Sequence, residues 1–178
     1  YVFMWAVSKN SWISAFTTAL LVFDFMHFTL SRIGTIDIIV ACFILLTFYL
    51  MYLVLKRLKH GIDRCTVLLM ILNGCAAGAA MATKWTGVYA GAGIALMFFL
   101  FLMREYIPAH GKRDILTLFG ICVAAYLCIP AVIYVLSYLS YPMQPGEHLL
   151  KKMWDNQVLM LTYHESTVFD HPYSSEWY

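Results

Sequence analysis

The side chains best suited to chemistry are few and fall away from the main basic clusters. Arg32 and Asp37 stand close together in Ser31-Arg32-Ile33-Gly34-Thr35-Ile36-Asp37, and Lys84 lies alone in Thr83-Lys84-Trp85-Thr86-Gly87. A guanidinium grips a phosphate bidentately and an ammonium meets it as a point charge. A nearby carboxylate orients such a cation or accepts a hydroxyl proton. A plainer reading stands beside this one: Arg32 as an interface anchor, Asp37 as a helix-start carboxylate, Lys84 as a snorkelling lysine beside Trp85. Further on, the run from Tyr163-His164-Glu165 to His171-Pro172-Tyr173-Ser174-Ser175-Glu176-Trp177 is dense in imidazole, aromatic and hydroxyl groups. Those groups suit stacking on a sugar, hydrogen bonding and seating at a membrane interface. His164 and His171 with Glu165 and Asp170 could hold a divalent metal, but the spacing matches no strong metal motif and no cofactor is assigned.

The solvent around these residues is set by composition. Apolar residues make up 62% of the chain and charged residues 12%, with a mean hydropathy of +0.73. Soluble domains carry about a quarter charged residues, so this chain lacks the groups to cover a globular surface in water. The net charge of +2 gives no reason to expect a nucleic-acid partner. Cys42, Cys65, Cys75, Cys122 and Cys128 lie in or beside apolar runs without a CxxC pair, and read as small membrane-helix residues.

A spanning helix needs about 20 apolar residues. Stretches at 11–28 (short), 36–55, 65–82, 86–103 and 115–139 meet or approach that length, and only helices satisfy their backbone in lipid. The expected fold is therefore an all-α polytopic bundle over 1–140, followed by a second segment over 141–178. Lys9, Lys56, Arg57, Lys59, Arg64, Arg104, Lys112 and Arg113 fall in one set of alternating connections. Arg32, Lys84, Lys151 and Lys152 fall in the other. Basic residues concentrate on the cytoplasmic side, so Arg32, Asp37, Lys84 and the tail are expected outside. Small residues at Gly74, Ala77, Gly78 and Ala82 read as a helix-packing face, and Pro130 as a kink. In 147–161, Leu150, Met153, Trp154, Val158 and Leu161 recur at helical spacing opposite Lys151, Lys152, Asp155 and Asn156, the pattern of an amphipathic helix lying in the interface.

The segment from Phe25-Met26-His27-Phe28 through Arg32 to Asp37, the Lys84-Trp85-Thr86-Gly87 turn and the His164 to Trp177 tail, in that order, resemble the dolichyl-phosphate-mannose protein mannosyltransferases. The resemblance runs from about residue 10 to the end. It implies a GT-C membrane fold that moves mannose from a polyprenyl-phosphate-mannose donor to Ser or Thr hydroxyls of a secreted or membrane protein. Membrane lipid is a further partner, and the active face lies outside the cytoplasm, in a plasma-membrane, bacterial-type enzyme with a short tail. Arg32, Lys84, His164, His171, Tyr173 and Trp177 become donor- and acceptor-binding residues by this analogy, with Asp37 in support of catalysis. The family's acidic pair is expected before Tyr1, so the chain is expected to be an internal fragment, inactive alone. A GT-C enzyme for another sugar or a lipid acceptor is the alternative; a transporter fits less well, since it would place charges at mid-bilayer.

Overall fold

A computed structural model describes residues 1–142 and 147–166, the side chain of His164 excepted. The chain divides into two compact units, Tyr1–Tyr134 and Val135–Tyr178, each described separately below. All regular structure among the described residues is helical.

In the first unit, α1 (Val2–Ser8) meets α2 (Ser11–Val22) at an elbow built by Asn10. The Asn10 side chain accepts from the Trp12 and Ile13 N–H groups, and the buried Ser14 hydroxyl donates to the Asn10 carbonyl at 2.7 Å. α1 is tied to α4 (Ile36–Leu58) by the Tyr52 hydroxyl, which donates to the Ala6 carbonyl at 2.9 Å.

The expected span at 11–28 is not one helix. It breaks after Val22, and α3 (Phe25–Ile33) leaves at 57°. Asp24 is the cause: its carboxylate accepts from the His27 N–H at 2.7 Å and so caps a new helix inside an apolar run. Gly34 then closes α3 in the left-handed conformation at φ 68°, which glycine adopts without a Cβ penalty.

The other spans follow the hydropathy. Ile36–Leu58, Arg64–Thr83, Thr86–Ala109 and Lys112–Ser140 are long and apolar enough to cross a bilayer, and the bent α2–α3 pair would make a fifth crossing. They contain α4, α5 (Arg64–Thr83), α6 (Thr86–Phe101), α7 (Lys112–Val123) and α8 (Ile129–Ser137). Large apolar side chains face outward, Phe16 at 67% exposure and Leu116 at 71%, as lipid-facing residues do. Asp63 starts α5, accepting from the Thr66 hydroxyl at 2.5 Å and from the Thr66 N–H at 2.7 Å, with Arg57 at 3.1 Å. The Thr66 bonds hold its carboxyl below the usual range, with the Arg57 charge acting in the same direction. A depressed carboxylate stabilises the fold above its unfolded pKa, and that contribution fades as pH drops through the lower folded value.

The core joins Met51, Val54 and Leu58 of α4 to Met70 and Ala77 of α5, Ile94 and Phe98 of α6, and Leu118 and Ala125 of the last span. α5 is the centre of this packing. A Cβ added at Gly74 would lie 1.9 Å from the Ala125 carbonyl oxygen, and one at Gly78 would lie 2.9 Å from the Pro130 Cα. The small-residue face expected from the sequence is thus a backbone-to-backbone contact. Pro130 does not simply kink its helix. A π turn at Ala124–Cys128 precedes it and contains Tyr126, whose carbonyl the proline ring would otherwise strike.

In the second unit, α9 covers Leu149–Ser166, longer at its C-terminal end than the 147–161 stretch read from the sequence. Lys152 pairs with Glu147 at 3.1 Å and its ammonium lies 5.7 Å from the centre of the Tyr141 ring. Gln157 donates to the Tyr138 hydroxyl at 2.9 Å.

The glycine contact makes a testable demand. Gly74→Ala should lower thermal stability in detergent by about 1–3 kcal/mol through overpacking against backbone. Gly120→Ala, where a Cβ meets nothing within 4 Å, should be neutral or slightly stabilising. Equal melting temperatures for the two variants would refute the close contact.

Candidate functional site

Two of the charged residues singled out in the sequence meet. Asp37 lies in the first turn of α4, where unpaired N–H groups favour a carboxylate. Lys84 caps α5 with an extended backbone at φ −159° and ψ 145°, its N–H bonded to the Ala80 carbonyl. The chain reverses at once: the Gly87 N–H donates to the Lys84 carbonyl at 2.9 Å, and α6 begins. Gly87 makes so tight a turn possible, because a Cβ there would lie 2.4 Å from the Ala80 carbonyl carbon. From this turn the Lys84 Nζ reaches the Asp37 Oδ1 at 2.5 Å.

The pair is not sealed, since the Lys84 and Asp37 side chains keep 41% and 36% of their exposure. Screening by water limits such a pair to about 0–1 kcal/mol. Its main effect is positional: the ammonium is held at the start of α4, and a third group can still approach it. The sequence placed both charges on one side of the membrane but not in contact. The available signal was two lone opposite charges at the same end of neighbouring apolar helices.

Arg32 stands in the last turn of α3, where a cation complements the helix C-terminus. Its guanidinium lies over the Phe28 ring, 5.0 Å from the centroid, and it is exposed. Among the described residues it has no ion-pair partner, and its charge is uncommitted. Asp37 therefore contacts Lys84 and not Arg32. His171, Tyr173 and Trp177 lie outside the described residues, as does the side chain of His164, whose backbone belongs to α9.

A cavity of about 710 Å³ opens beside α6. Met81 and Val88, on either side of the Lys84 turn, line one end, and Tyr106 and Ile107 line the other. Between them run Phe98, Leu118 and Tyr126, so the wall is almost wholly apolar. At 1.5 Å per residue, the distance along α6 from Val88 to Ile107 is about 28 Å, close to the depth of a bilayer core.

Sequence reasoning passed over Asn73. It is fully buried, and its Nδ2 donates to the Tyr126 hydroxyl at 3.3 Å. Its Oδ1 has no partner among the described residues. An amide inside a run as apolar as 65–82 was itself the signal.

Fold and site together define an all-α, multi-pass membrane protein with fixed charges at one end and a bilayer-deep apolar cavity. The family model for dolichyl-phosphate-mannose-protein mannosyltransferase matches residues 1–140, and the chain belongs to that family, which makes it a mannosyltransferase of the GT-C kind. The match includes Arg32, Asp37 and Lys84 and ends before the tail. Comparison with curated proteins and with solved structures gives no match.

If the Asp37 contact with Lys84 is real, the two must couple. Asp37→Asn and Lys84→Gln should each lower stability slightly, and the double variant should lose less than their sum by about 0.5–1 kcal/mol. Thermal unfolding of all four proteins in detergent measures this, and strict additivity would dissolve the pair.

Proposed function

We propose that the chain serves a protein O-mannosyltransferase, which transfers mannose from a polyprenyl-phosphate donor to Ser or Thr hydroxyls outside the cytoplasm. The observation that carries the reading is the fixed Lys84, held by Asp37 beside the mouth of an apolar cavity of membrane depth. A polyprenyl tail needs such a wall, and its phosphate needs cations at the membrane boundary.

In the reaction the bond from the mannose anomeric carbon to the phosphate oxygen breaks. The acceptor oxygen bonds to that carbon, and the hydroxyl proton leaves to a carboxylate base. The sugar carbon passes through oxocarbenium character while the departing phosphate gains a negative charge. Lys84 and the uncommitted Arg32 answer that charge where it develops. Asp37, engaged by Lys84, acts as support and not as the base. His164, His171, Tyr173 and Trp177 would complete the acceptor side, with 141–178 as an extracytoplasmic helix and loop. A plasma-membrane location completes the proposal.

Two experiments test it. In the full-length enzyme, Arg32→Ala and Lys84→Ala should each slow transfer from polyprenyl-phosphate-mannose by roughly 10²–10³, the effect of one lost electrostatic contact in the transition state. Arg32→Lys should keep more activity than Arg32→Ala, since the charge survives and only the fork geometry is lost. Near-normal turnover in both alanine variants would leave these residues as interface anchors.

The orientation is tested separately by labelling. In a background without the native cysteines, Lys59→Cys and Lys112→Cys should react with an impermeant reagent only from the cytoplasmic side. Ser31→Cys should react only from the opposite side. Labelling of all three from one side would overturn the assignment of faces.

A further inference from the structure

The end of the bundle away from Lys84 carries a second charged site. Between α4 and α6 lies a groove of about 620 Å³ whose lower wall is Leu55, Met97 and Leu100 and whose rim includes Lys56, Lys59 and Arg104. Lys59 is already neutralised, its Nζ lying 2.7 Å from the Glu105 carboxylate, which shares the same rim. Lys56 and Arg104 are exposed and have no carboxylate partner among the described residues. A neighbouring groove across α4 also uses Lys56, but its Arg57 is committed to Asp63 at 3.1 Å. The α4–α6 groove is therefore the place where two free cations face one space above an apolar wall.

We propose that this groove binds an anionic phospholipid from the leaflet at the basic end, its phosphate between Lys56 and Arg104 and an acyl chain along Leu55, Met97 and Leu100. The occupant follows from charge and shape. A free phosphate or nucleotide would use the cations but leave the apolar wall unused, and a zwitterionic lipid would gain less from the two charges. Basic pockets between membrane helices select anionic headgroups for this reason. The site lies near Lys56 and the Lys84 site near Asp37; along α4 the two residues are about 28 Å apart. The proposal does not depend on mannosyl transfer.

The test uses the full-length protein, delipidated in detergent and titrated with dioleoyl-phosphatidylglycerol or dioleoyl-phosphatidylcholine, with bound lipid counted by native mass spectrometry. Phosphatidylglycerol should bind in preference to phosphatidylcholine. Removing a cation should weaken it roughly five-fold, and Lys56→Gln with Arg104→Gln about 25-fold. Arg113→Gln, a basic residue outside the groove, should change binding less than two-fold. Leu100→Trp, which fills the groove but keeps every cation, should also reduce binding. If Arg113→Gln costs as much as a groove variant, only the general surface potential is at work and the site fails. If Leu100→Trp binds normally, or glycerol phosphate competes as well as the lipid, the acyl groove fails. Wild-type preference in the double variant would overturn the proposal outright.

Discussion

The approach of α5 to the last spanning helix sets the geometry of the first unit. Gly74 and Gly78 carry no side chain, so the Ala125 carbonyl and the Pro130 backbone sit where side chains would otherwise stand. In lipid there is little hydrophobic gain from bringing helices together, and close van der Waals contact must supply the attraction. That contact fixes α5 at the centre, with α4, α6 and the last span around it. It also fixes where α5 ends, and hence where the 84–87 turn can hold a lysine against the start of α4.

Much of this was legible in the sequence, because bilayer thickness and backbone hydrogen bonding leave few choices. Spans at 36–55, 65–82, 86–103 and 115–139 emerge close to where apolar length placed them. The 11–28 stretch shows the limit of such counting. Hydropathy averages over Asp24, whereas the backbone responds to a single cap at that position. A window long enough to find a span is too long to see the residue that breaks it.

The site was half legible for a similar reason. Loop charge asymmetry placed Arg32, Asp37 and Lys84 at one end, because it needs only the order of the helices. Which of them touch depends on how α4 and the α5–α6 hairpin are rotated, and no local pattern encodes that rotation. The π turn before Pro130 was hidden too, since it arises from packing against α5 and from the proline together. Asn73 could have been noticed, yet its tie to Tyr126 is a long-range fact.

The two π turns, at Leu102–Tyr106 and Ala124–Cys128, also bear on how the chain can change over time. Each accommodates one residue more than an ordinary α-helical turn, as an insertion would leave it. Losing one residue there would restore a plain α-helix and rotate everything beyond it by about 100°. For the second turn, that rotation would carry Pro130 and Ile133 off the face that now receives Gly78. Relatives with a shorter last span would therefore need a different residue at the position of Gly78. Length at the π turn and size at that position should then change together across lineages.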